Sequence, residues 1–173
     1  MQFAFTEEQE LLRREARNAL GNGGWSRDEI AGAELGFIDR AVLYEEGGRA
    51  NLGESLFDES RPEEERLAML ALEAVGISAK ALELGVEYAS SREQFGRKIG
   101  VYQAVSHPLA DAYTRVELSR SLALWAAWCV ATGDAQAAIA AAAAKSYAGE
   151  SAAIVCETAI QALGGIGFTW EHR

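Results

Sequence analysis

The sequence is poor in the residues that would give it a metal site, a disulfide framework or a sheet-rich frame. Its two histidines, His107 and His172, and its two cysteines, Cys129 and Cys156, form no cluster of zinc-ligand spacing. Each cysteine sits inside an apolar helical pattern, which reads as a buried free thiol rather than a disulfide or a metal ligand. Only two prolines occur in 173 residues, and long stretches carry no turn residue, so an all-α protein is expected. Basic residues are outnumbered, 16 against 26 acidic ones, for a net charge of −10. That balance argues against general nucleic-acid binding, which needs a basic stripe along a groove. No uninterrupted apolar run is long enough to span a membrane, since Lys145 breaks even the alanine-rich stretch. The first eight residues, MQFAFTEE, lack the basic region and apolar core of a signal peptide. A soluble, intracellular, cytoplasmic protein is the expectation.

What is present is an ordinary globular composition, 49% hydrophobic and 24% charged, enough for a core. Thr6-Glu7-Glu8-Gln9 has the form of a capping box and predicts a helix to about Leu20, ended by Gly21-Asn22-Gly23-Gly24. Ser26-Arg27-Asp28-Glu29 is a second possible box. Leu35, Ile38, Val42 and Leu43 mark a helix expected to stop at Gly47-Gly48, and a mixed linker follows from Leu52 to Ser60. Pro62 before Glu63, Glu64 and Glu65 starts a long helix running to about Ser91, roughly 45 Å at 1.5 Å per residue. A second long helix is expected from about Tyr102 to Ala131, with Pro108 kinking or restarting it in its first turn. Gly133-Asp134 breaks that pattern, and a third spans about Ala135 to Leu163. There the run Ala141 to Ala144 reads as close helix packing. Three long antiparallel helices with a short N-terminal helical arm make a helical bundle. The division expected is 1–60 for the arm and 61–173 for the bundle.

Between the first two long helices lies Ser91-Arg92-Glu93-Gln94-Phe95-Gly96-Arg97-Lys98-Ile99-Gly100. Three cations and an aromatic ring in so short a stretch suit a ligand carrying phosphate and a flat ring, because guanidinium forks match phosphate oxygens. A solvated loop between helices is the alternative. At the end of the third helix, Gly164-Gly165-Ile166-Gly167 fits either an ordinary helix cap or a backbone that approaches a ligand closely.

REQFG followed by IGVYQAV, and QALGGIGFTWEH at the end of a long helix, together resemble the acyl-CoA dehydrogenase family. FTEEQ near the start, and the stretch from Glu34-Leu35-Gly36-Phe37 to Arg49-Ala50, are similar to that family's first helical domain. The resemblance implies FAD-dependent oxidation of the Cα–Cβ bond of an acyl-CoA thioester. A carboxylate there removes the α-proton and the β-hydrogen leaves as hydride. By the match, Arg92, Gln94, Phe95 and Gln103 correspond to residues on the adenosine and pyrophosphate side of FAD, and Gln161, Gly164 and Gly165 to another part of that site. In the family these groups reach a neighbouring subunit's flavin, so a homo-oligomer, or a hetero-oligomer with a full-length relative, is implied, as is an electron-transfer acceptor. Two departures stand beside the match: the family's central β domain, and its final bundle helix with the usual catalytic glutamate, have no counterpart here. Glu65 lies near the place where a minority of members carry their base, with exposed first-turn charge the alternative reading, and Glu171 is a weaker candidate. A non-catalytic partner subunit and a bare helical scaffold are the other readings. Faces such as Leu109, Trp125 and Trp128 are expected to need another subunit.

Overall fold

The structure, a computed structural model, describes residues 5–22, 24–25, 35–51 and 60–169. The second possible capping box at Ser26, the linker from Leu52 to Glu59 and Glu171 lie outside the described residues.

Helix α1 spans Glu7–Gly21 and opens with the expected capping box. The Gln9 amide N–H donates to Thr6 Oγ1 at 3.2 Å, and the Thr6 N–H donates to Gln9 Oε1 at 3.0 Å. Two orphan donors are thereby satisfied. Its apolar side, Ala16 and Leu20, packs with α2, Phe37–Ala50. Contrary to expectation α2 does not stop at Gly47-Gly48. It runs two residues further, to Ala50, and is capped by Asn51 in the left-handed region. The glycines serve a crossing rather than a stop: a Cβ at Gly48 would collide with the Glu73 carbonyl, and one at Gly76 with the Glu45 carbonyl. The absence of both side chains lets α2 and α3 approach backbone to backbone.

The bundle consists of α3, Glu63–Ser91, α4, Gln103–Thr132, and α5, Ala137–Leu163. Each of the three packs on the other two. Pro62 precedes the first turn of α3 and three glutamates follow it, as the positive end of a helix dipole favours. Pro108 lies in the second turn of α4, which continues as one helix without restarting. The one hydrogen bond proline removes there would end on Ala104, which is exposed, so water can serve that carbonyl. Gly133 ends α4, and the Asp134 carboxylate accepts the Gln136 N–H at 2.8 Å as the chain turns into α5.

The core has two parts. Leu72, Met69, Val75, Ala126 and Ala144 belong to the part next to the arm, and Leu82, Leu109, Val116 and Val155 to the other. Of the alanine run, Ala141 and Ala144 are buried while Ala142 and Ala143 face out. Small side chains on the inner face are what let α5 sit close to two neighbours at once. By length and composition the segment Ala137–Phe168 is apolar enough to cross a membrane, which corrects the expectation drawn from Lys145. Alanine raises hydropathy while adding little side chain, and here its small face packs into a helical interior. Leu109, expected on a face needing cover, is buried in the second core instead. Trp125 is half-buried and Trp128 exposed.

Candidate functional site

Alternation of direction along the bundle brings the end of α3, the start of α4 and the end of α5 to one place. All seven residues matched to cofactor binding stand there. The basic stretch is not a plain loop but a two-stranded hairpin, β1 Glu93–Gln94 against β2 Arg97–Lys98, in register Glu93 with Lys98 and Gln94 with Arg97. Its turn is Phe95-Gly96, with φ of 52° and 75°. Two successive positive φ values match the twist that favours a two-residue hairpin. Glycine takes that conformation freely. Phenylalanine does not, and holding it there costs about 1–2 kcal/mol.

The hairpin is braced at both ends. The Ile99 N–H donates to the Arg92 carbonyl at 2.9 Å, closing its base. The Tyr102 hydroxyl donates to the Gln94 carbonyl at 3.2 Å. Tyr102 thus positions Gln94, a role that sequence reasoning missed although the residue adjoins Gln103. Phe95 is carried at the tip, 92% exposed. Arg92, Arg97 and Lys98 are exposed, and none pairs with a carboxylate among the described residues. Gln103 opens α4. Gln161 lines a cleft of about 510 Å³ between α4 and α5, beside Ala104 and Pro108. Gly164 caps α5 with φ 65°, Gly165 follows in a 3-10 turn, and open space lies where a Cβ at either would stand.

Glu65 is elsewhere. It occupies the first turn of α3 and accepts from Arg61 Nη1 at 3.2 Å. Twenty-seven residues separate it from Arg92, about 40 Å along the helix. The structure therefore gathers the cofactor candidates and leaves the candidate base at the other end.

A second set of charges joins arm to bundle. Glu45 and Glu46 of α2 are 3% and 1% exposed. Arg17 holds Glu46 through two bonds, of 2.8 and 2.7 Å, while Arg13 and Arg120 reach Glu45 at 3.3 and 3.0 Å. Arg49 pairs with Glu83, and Arg120 also with Glu117. Donating to the Glu46 carboxylate raises the Arg17 pKa above its ordinary value. For Arg120 burial works in the opposite direction, but the charges of Glu45 and Glu117 outweigh it and the pKa rises. The Arg49 guanidinium lowers the Glu83 carboxyl below its usual range. Burial pushes the thiols of Cys129 and Cys156, both free, upward.

Comparison with known proteins bears on the hairpin end directly. Residues 59–173 match the family model described as the acyl-CoA dehydrogenase C-terminal domain. The chain belongs to the acyl-CoA dehydrogenase family. Among curated members, acyl-CoA dehydrogenase FadE34 of Mycobacterium tuberculosis is 43% identical over 113 residues, covering 65% of this chain and 16% of FadE34. Acyl-CoA dehydrogenase IpdE2 of the same organism is 42% identical over 104 residues, covering 60% of this chain and 31% of IpdE2. Among solved members, butyryl-CoA dehydrogenase from Megasphaera elsdenii superposes with a TM-score of 0.61 at 34% identity, over 64% of this chain and 28% of that one. The all-α bundle is thus the family's C-terminal domain. The matches span less than a third of each of these relatives.

Proposed function

We propose that this chain serves FAD-dependent α,β-dehydrogenation of an acyl-CoA thioester, its bundle end holding the adenosine and pyrophosphate side of the cofactor. The observation that carries the reading is Phe95, kept in a left-handed backbone conformation and 92% exposed at a hairpin tip flanked by cations that pair with no carboxylate among the described residues. Backbone strain that presents an apolar ring to solvent calls for a partner that uses the ring. The donor set suits FAD. Arg92 offers a guanidinium fork to phosphate, and the carboxamides of Gln94, Gln103 and Gln161 can donate to or accept from adenine and ribose edges. Phe95 offers a stacking face, and Gly164 and Gly165 leave the surface open to a close approach. FAD, when bound, supplies the two-electron acceptor for the β-hydrogen.

Phe95 is 92% exposed, so no wall among the described residues encloses its ring. The reading accordingly includes association, with the hairpin end lent to a site completed by another subunit, a copy or a full-length relative. Glu65 as base belongs to the same proposal. Its position some 40 Å from Arg92 along α3 supports a reading in which base and cofactor end serve sites of different subunits. That separation equally favours the second reading, a partner subunit without its own chemistry. An electron-transfer acceptor for the reduced flavin and a cytoplasmic location complete the proposal, the latter supported by the two free thiols.

The test is anaerobic addition of acyl-CoA to protein reconstituted with FAD and freed of excess. Bleaching of the bound flavin band by the chain alone is the expected result, and loss of that bleaching in Glu65→Gln supports the base. Bleaching seen only after a full-length relative is added, and unchanged in Glu65→Gln, replaces this reading with the partner subunit. No flavin retained under either condition rules out both.

A further inference from the structure

Three serines are sealed inside the bundle, one on each long helix. Ser78 of α3, Ser119 of α4 and Ser151 of α5 are at most 1% exposed. Their levels along the helices agree. Ser78 falls between Val75 of the arm-side core and Leu82 of the hairpin-side core, Ser119 between Ala123 and Val116, and Ser151 between Ala148 and Val155, each pair given in the same order. Ser119 stands thirteen residues before the end of α4 and Ser151 fourteen after the start of α5, which puts both about 20 Å from the turn that joins those helices. The two cores, which share no buried residue, thus meet at a layer of hydroxyls.

The layer does not bond across the bundle. Ser78 and Ser119 donate to carbonyls one turn back in their own helices, Ala74 at 2.6 Å and Arg115 at 2.7 Å. Ser151 Oγ is buried and has no hydrogen-bond partner among the described residues. A buried hydroxyl without a partner costs stability that water would return, so an opening that wets this layer costs less than one through the apolar levels beside it. The two sides also differ in cover. The arm packs on one core, where Leu72, Val75 and Ala144 are fully enclosed, while in the other Leu82 and Leu109 keep 8% and 7% exposure.

We propose that the serine layer is a seam at which the hairpin half of the bundle opens as a unit, α3 beyond Ser78, α4 before Ser119 and α5 beyond Ser151, while the arm half stays folded. Such an opening returns the hydroxyls to water and breaks only the smaller core. The half that opens carries Arg92, Phe95, Gln103 and Gly164, so the surface read as a cofactor site belongs to the less stable unit. The seam stands on residues that the flavin reading does not use, and either can fail without the other.

Native-state hydrogen exchange of the full chain without FAD, followed residue by residue in low denaturant, tests it on wild type, Ser151→Ala and Ala144→Gly. In wild type, residues 82–89, 109–116 and 155–163 are expected to share one protection value, about tenfold or more below that of residues 68–75, 123–129 and 140–148, with a step at the serines. Ser151→Ala removes the orphan hydroxyl without adding volume. It should raise protection of the hairpin half about tenfold, against the roughly twofold that helix propensity alone would give, because the seam is wetted in that opening. Ala144→Gly, on the arm side of the seam, should lower protection of the arm half about fivefold and leave the hairpin half unchanged. A gradual decline toward the hairpin with no step is fraying of separate helix ends and overturns the proposal. It is equally overturned if Ser151→Ala raises the arm half alone, or if Ala144→Gly lowers both halves together.

Discussion

The junction between arm and bundle and the hairpin end use the same side chains in opposite ways. At the junction arginines are spent on carboxylates: Glu45 and Glu46 are withdrawn from water and four guanidiniums surround them. At the hairpin Arg92, Arg97 and Lys98 stand exposed and, among the described residues, unpaired, with an aromatic ring held out beside them. One region has paired its charges internally. The other has left them unsatisfied, on a backbone that is itself strained. The contrast separates what holds this molecule together from what it presents to a ligand.

Breaking the junction should have the largest effect. Glu46→Ala removes both charge-assisted bonds from Arg17, while Arg13 keeps Glu45, and should lower stability by about 3 kcal/mol in chemical denaturation. Next is the crossing that lets α2 lie on α3. Gly76→Ala drives a methyl group into the Glu45 carbonyl, which should cost about 1–3 kcal/mol or more as the helices separate. At the hairpin the sign reverses. Phe95→Asn relieves the left-handed strain and should raise stability by up to about 1 kcal/mol, while weakening retention of FAD. A junction residue could not be exchanged for such a gain.

The smallest effect is on pH dependence. Because the folded pKa of Glu83 lies below its ordinary value, its pair with Arg49 contributes stability above that ordinary value, near 4.3. The contribution is lost as pH falls through the lower, folded value. Glu83→Gln should therefore flatten the acid limb of a stability profile slightly, with little change near neutrality. The carboxylate is about half exposed, at 48%, so solvent screening keeps the effect small.

How far the sequence could be read follows the same division. The three long helices were legible because their apolar period persists over many turns, and the start of α1 because Thr6 and Gln9 carry a local hydrogen-bond pattern. Gly47-Gly48 misled because glycine more often punctuates a helix than lets another cross it. The hairpin was hidden by its brevity: two-residue strands carry no period, and Phe95 is a residue that argues against a positive φ. The junction was invisible for a different reason. Its long-range partners lie 29 to 75 residues apart, and only folding brings Arg120 to Glu45. For the site, the motifs matched to the family placed every cofactor candidate at one end of the bundle. They could not reveal that Tyr102 braces Gln94, nor that Glu65 stands at the far end engaged with Arg61.

The most direct measurement is a titration of FAD into the wild-type chain and into Arg92→Ala, read by the change in flavin fluorescence. Arg92 is exposed and its side chain has no hydrogen bond or ion pair among the described residues, so the variant should unfold within about 0.5 kcal/mol of wild type. The expected result is saturable binding by wild type and binding weakened about tenfold or more in the variant, the loss of one charge-assisted phosphate contact. Two proteins that titrate alike would contradict the assignment of the hairpin end to the cofactor.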